Sequence, residues 1–216
     1  MELLILTIQW WITGFSGAAM PGPVTVLIVT ESAKRGFIAG PLITIGHVLL
    51  ELVMVTALFF GMRDVLNQNW VAGGIGIVGG LALLWLGIDI VKSAWDGTVA
   101  LNLSAQAQNG DTSRHPIIGG VVTTIFNPYW FIWWATVGAA YLLTFRAFGV
   151  LGIIAFYFGH TLADWVWNNF VAFAVSSGRR VLSDRAYRAI LSICGAFMIA
   201  MSMYFVISGV NFWRGG

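Results

Sequence analysis

Six apolar stretches, each about as long as a bilayer-crossing helix, occupy residues 4–30, 37–62, 70–93, 116–143, 147–173 and 189–211. A spanning helix needs about 20 predominantly apolar residues, and no soluble core of this size absorbs so many such runs. Composition agrees: 58% of residues are hydrophobic, 9% are charged and the mean hydropathy is +0.84, against roughly 25% charged residues in a soluble domain. Hydrocarbon offers backbone groups no hydrogen-bond partner, so the segments must be helices or a closed barrel, and their length selects helices. The fold predicted is an all-α membrane protein with six transmembrane helices, embedded in a lipid bilayer.

Ser16-Gly17-Ala18-Ala19 could pass for a cleavage site, but the residues before it include Glu2 and neither Lys nor Arg. A secretory leader opens on basic residues, so a retained first span is expected. Counting Lys and Arg on alternate loops places Lys34, Arg35, Lys92, Arg114, Arg179, Arg180, Arg185 and Arg188 on one side. Only Arg63, Arg146 and Arg214 fall on the other. Positive charge stays on the cytoplasmic side, which puts both termini outside an inner cell membrane. The cluster from Arg179 to Arg188 reads as a topology anchor against anionic lipid. The net charge of +2 gives no footing for nucleic acid.

A polar linker over 94–115 divides the chain into a first three-helix repeat, 1–93, and a second, 116–216. Each half runs through a proline-broken span, a span bearing Gly-His-x-x-x-acid, and a third span. Three is odd, so the second copy enters the membrane from the opposite face, and the repeats are inverted. The proline breaks are Pro21-Gly22-Pro23 in helix 1 and Asn127-Pro128 in helix 4. Proline lacks an N–H and clashes with the carbonyl four residues back, which is expected to free the carbonyls of Gly17, Ala19 and Thr124. Freed backbone groups survive at membrane depth only inside protein or against a wet cavity. Each restarted half-helix then offers unpaired N–H groups and a positive dipole end, suited to a carboxylate.

The two acidic turns are Gly46-His47-Val48-Leu49-Leu50-Glu51 and Gly159-His160-Thr161-Leu162-Ala163-Asp164. Residues four apart share a helix face, so each turn aims an imidazole and a carboxylate at one place. Simple helix joining, each His bonded to its own acid, is the plainer alternative. Ionisable groups at depth are costly, however, and are by default functional. Four such groups also make an N,O donor set for a metal, so His47, Glu51, His160 and Asp164 define a divalent-cation site as the alternative.

Several remaining features suit packing. Ala72, Gly76 and Gly80 form a small-residue stripe for close helix approach, with homodimerisation as its other use. Trp10, Trp11, Trp70, Trp95 and Trp213 fall near span ends, as interfacial belts do. Trp130, Trp133 and Trp134 follow Pro128 on nearly one face, where they pack in bulk, face lipid, or wall a cavity and take a cation–π contact with an ammonium. Cys194 is the single cysteine, which rules out an intrachain disulfide and the reactive pair of a thiol-redox conduit.

Met20-Pro21-Gly22-Pro23, the run from Gly36 to Gly40, Gly79-Gly80 through Leu84 to Gly87, and Phe126-Asn127-Pro128 resemble the LysE/RhtB-type (lysine exporter) family of amino-acid translocators. The similarity extends over most of the chain in span count and motif order. It implies a bacterial or archaeal exporter driven by an ion gradient, with lysine itself not implied. The expected function is secondary active export of an amino acid or similar zwitterion coupled to an ion, the proton foremost. Expected site residues are Pro21, Gly22, Pro23, His47, Glu51, Asn127, Pro128, His160 and Asp164. Neither enzymatic chemistry nor a cofactor is expected, and no ATP site is evident, because the chain has neither a phosphate-loop pattern nor a soluble domain to hold one.

Overall fold

The computed structural model describes residues 1–97, 115–178 and 183–214, and their regular secondary structure is entirely helical. Residues 98–114 of the expected linker, together with Arg179 and Arg180, lie outside the described residues.

Helices α1 (Glu2–Ala18) and α2 (Pro23–Arg35) meet at a bend of 76°. The physical cause is local. Pro21 and Pro23 remove two donors, and Gly22 between them is fully extended at φ −154°, ψ −173°. Helix α3 (Ala39–Phe59) is followed by a short α4 (Met62–Leu66) and by α5 (Asn69–Trp95). The second half comprises α6 (Pro116–Ile125), α7 (Pro128–Trp133), a π-helical turn over Trp134–Gly138, α8 (Ala139–Arg146), α9 (Gly149–Gly178) and α10 (Asp184–Trp213).

Helices α3, α5, α9 and α10 are each long and apolar enough to cross a membrane, and the bent α1–α2 pair makes a fifth span if taken as one. Their bounds follow the expected stretches closely. The stretch expected over 116–143 is broken at the expected place: Asn127 takes an extended conformation at φ −100°, ψ 99° before Pro128 and cuts it in two. Large apolar side chains stay exposed along the outer helices, among them Trp85, Leu151 and Ile193. A multi-pass membrane protein needs such a surface against lipid.

The helices pair across the halves. α1 packs on α9, α6 on α3, and α5 along α10, while α9 also meets α2 and α3. Close approach needs the absence of a side chain at particular points. A Cβ on Gly46 would fall 2.0 Å from the Ile117 carbonyl oxygen, and one on Gly120 would fall 2.2 Å from that of Ile43. The small-residue stripe of α5 is consumed within the chain, with Gly76 against Phe205 and Gly209, and Gly80 against Ser202 and Val206 of α10.

The structure corrects two further expectations. Trp10 belongs to no interfacial belt: it is fully buried and donates its indole N–H to the Phe156 carbonyl at 2.7 Å. The carbonyls of Gly17 and Thr124 are not left free. Met20 N–H and Asn127 N–H donate back to them at 3.3 and 3.1 Å, tightening the last turn before each break. One member of the basic cluster also has work inside the protein, since the Arg188 guanidinium donates to the terminal carbonyls of Ala94 and Trp95 on α5.

Candidate functional site

Helix α3 holds His47 and Glu51 on one face, and α9 holds His160 and Asp164 on one face. Packing α3 against α9 drives the four groups into a single cluster. His160 Nε2 lies 3.0 Å from Glu51 Oε1 and 3.3 Å from Asp164 Oδ2. His47 Nε2 lies 3.4 Å from Glu51 Oε1 and 3.7 Å from Asp164 Oδ1. The shortest contact therefore joins the halves, and neither His serves its own acid alone. With both imidazoles protonated, two positive and two negative charges cancel, the condition under which such groups are tolerated out of water.

All four are buried, Glu51 completely. His47 Nδ1 pairs with the Thr124 hydroxyl at 2.7 Å, and that hydroxyl in turn donates to the Gly120 carbonyl at 2.7 Å, which anchors the imidazole to α6. The other imidazole is held by rings instead. Trp133, Trp134 and Trp10 lie 4.6, 4.8 and 5.3 Å from the His160 ring, centroid to centroid. Space for this comes from α1, where a Cβ on Gly14 would fall 3.1 Å from His160 Nδ1. The π turn starts at Trp134, and a Cβ on Gly138 would fall 2.5 Å from the Trp134 ring.

The quartet lies at one wall of a cavity with about 500 Å³ of empty space, bounded also by Gly22, Asn127, Trp130 and Asn168. The two chain breaks meet there, with the Asn127 amide nitrogen 3.7 Å from where a Cβ on Gly22 would stand. Neither restarted helix has a side-chain cap at its N-terminus. Ser16, near the end of α1, accepts from Tyr129 OH through its carbonyl and from Trp133 Nε1 through its hydroxyl, lacing the two breaks together. Five buried polar atoms of the cavity residues, Glu51 Oε2, Trp130 Nε1, Trp134 Nε1, His160 Nδ1 and Asp164 Oδ2, have no hydrogen-bond partner among the described residues.

Of the expected site residues, the structure brings His47, Glu51, His160, Asp164, Gly22 and Asn127 to this cavity. Pro21 and Pro23 line a neighbouring one. Pro128 faces away, buried against Gly79 of α5. Of the uses weighed for Trp130, Trp133 and Trp134, cavity wall and bulk packing both apply, and the rings are buried and do not face lipid. Asn168 has a signal in the sequence: it follows Asp164 by four residues and continues the face of His160 and Asp164. Thr124 and Trp10 had no sequence signal tying them to the imidazoles, because their contacts cross between helices far apart in the chain.

A bundle of apolar helices, broken at two facing points and enclosing a paired ionisable cluster, defines a multi-pass membrane protein of the transporter class. The chain belongs to the LysE type translocator family, whose model matches residues 15–209. It is also similar to "Putative amino acid efflux protein YcgF" of Bacillus subtilis (strain 168), at 20% identity over 206 residues, covering 94% of this chain and 96% of that protein. No solved structure gives a match.

Proposed function

We propose that this protein is a secondary active exporter of amino acids or similar small zwitterionic metabolites, acting across the cytoplasmic membrane and coupled to a proton gradient. The observation that carries this reading is the convergence of His47, Glu51, His160 and Asp164 beside the two facing chain breaks. Membership of the translocator family and the name of the Bacillus subtilis relative support it. The substrate carboxylate sits at the uncapped start of α2 and beside Asn127, where N–H groups and the helix dipole favour an anion. Glu51 and Asp164 receive the ammonium group or the coupling proton. His47 and His160 balance their charge and relay protons.

The architecture proposed is six spans in two inverted repeats, the first and fourth broken by proline, with both termini outside. The pairing of α1 with α9 and of α6 with α3 supports it, because exchanging the halves turns one pair into the other. Alternating access then comes from rocking one repeat against the other around the shared cluster.

The test is counterflow of labelled amino acids in proteoliposomes, with Glu51→Gln and Asp164→Asn. Each variant keeps its shape but loses its titratable group, so flux is expected to fall at least tenfold while the protein still inserts. Near-wild-type flux in both would remove the mechanism. A second reading has one observation of its own: ligand atoms of His47, Glu51 and Asp164 lie within 4.8 Å of one another, close enough to hold a divalent cation as cargo. Metal-driven flux without amino-acid counterflow would select it.

A further inference from the structure

The cavity at the quartet is not the only one at the chain breaks. A second adjoins it, and Met20, Gly22, Asn127 and Tyr129 line both. Its remaining lining is different in kind: Leu83 of α5 and Phe197, Met198, Met201 and Phe205 of α10, together with Pro21 and Pro23. No charged side chain is among them. In the first cavity the charged lining residues are the quartet alone. Each of its carboxylates already lies within 4 Å of both imidazoles.

These facts limit what a bound zwitterion can carry as its side chain. An α-ammonium shares one carboxylate of the quartet, and an α-carboxylate takes the N–H groups at the start of α2. A second ammonium, as on lysine, has only the quartet's other carboxylate, which both imidazoles already share, and a second carboxylate finds no Lys or Arg among the described lining residues. An unpaired charge moved out of water is strongly disfavoured. An apolar side chain meets the opposite situation, since the second cavity shares four lining residues with the first and its further lining is apolar. Thioethers line it at Met198 and Met201, and such flexible, polarisable groups adapt to branched, linear or aromatic shapes.

We infer that the cavity formed by Leu83, Phe197, Met198, Met201 and Phe205 is a side-chain subsite, and that the substrates of this protein are neutral amino acids with apolar side chains. This rests on the amino-acid exporter reading and narrows it to a substrate class. The residues that set the preference are those of α5 and α10, which touch none of the ionisable groups.

The experiment is counterflow in proteoliposomes with leucine, methionine, alanine, lysine, arginine and glutamate, each as the sole counter-substrate. Leucine and methionine are expected to exceed lysine, arginine and glutamate at least tenfold, and alanine by about tenfold, as apolar pockets discriminate. Met201→Trp fills the subsite and should lower the leucine-to-alanine ratio about tenfold. Should it fail to insert, Met201→Phe makes the same comparison, and because the ratio is taken within one preparation it is independent of yield. Lysine or glutamate exchanging as fast as leucine, or an unchanged ratio in a filled variant, overturns the subsite while leaving amino-acid export standing. Absence of counterflow with every amino acid overturns the exporter reading and the subsite with it.

Discussion

His47 and His160 occupy the same place in the same turn, yet the protein holds them by different means. His47 is fixed by a hydroxyl, that of Thr124, which pairs with its Nδ1. Replacing Thr124 by Val removes that partner while keeping the shape. A buried group left without its hydrogen bond costs about 1–3 kcal/mol, so Thr124→Val should lower the unfolding midpoint of the purified protein in detergent, whereas Thr124→Ser should restore most of the loss. His160 is fixed by aromatic rings, of which Trp10 is fully buried and stacked at 4.8 Å and 11° on Phe156. Trp10→Leu should therefore destabilise the protein by about 3 kcal/mol or more, in the range of large-to-small aromatic changes in a core. It should also reduce flux, measured in the same preparation, because the imidazole loses a wall. The pairing of each imidazole with a carboxylate was legible from spacing alone, since four residues make one turn and a bit. Which carboxylate lies nearer was not, because that distance depends on how α3 and α9 cross.

At the scale of elements, the breaks do most to shape the site. Each ends one helix with a tightened turn and starts another with an extended residue, Gly22 or Asn127. Pro128→Ala restores an N–H donor and allows residues 116–146 to approach a continuous helix. The expected result is a properly inserted protein with at least tenfold less counterflow, since straightening the segment withdraws Asn127 from the cavity; flux equal to wild type would show that the break is only a kink. Helix contacts impose a second constraint. A Cβ on Gly46 would fall 2.0 Å from a backbone oxygen of α6, which cannot yield as a side chain would. Gly46→Ala must then push α6 away, at about 1–3 kcal/mol for overpacking of this kind, and should reduce folded yield as judged by size-exclusion chromatography. The prolines announced where helices stop. The direction in which they restart, 76° away for α2, is decided by what the new helix packs against.

For the whole molecule, the ends of the bundle differ in charge. Lys34 and Arg35 close α2 around the buried Glu31, at 3.7 and 2.6 Å, and the neighbouring end of α5 is capped by Arg188. At the far end Arg146 lies over the Phe59 ring at 4.9 Å. If the richer end faces the cytoplasm, as retention of positive charge requires, a periplasm-active reporter fused after residue 216 should be active and a cytoplasm-active one silent. The reverse pattern would invert the proposed orientation. The sequence by itself determined the class of fold, because hydrocarbon leaves a chain this apolar few ways to satisfy its backbone. It also determined where the helices break and which faces carry ionisable groups, since proline chemistry and the 3.6-residue period act within a few residues. Only the tertiary structure decided that the two faces meet as one crosswise quartet, that Trp10 belongs to the core, that Pro128 turns away, and that a second, apolar cavity adjoins the first. These outcomes depend on contacts between residues far apart in the chain, such as Glu51 with His160 and Gly79 with Pro128, and local periodicity carries no record of them.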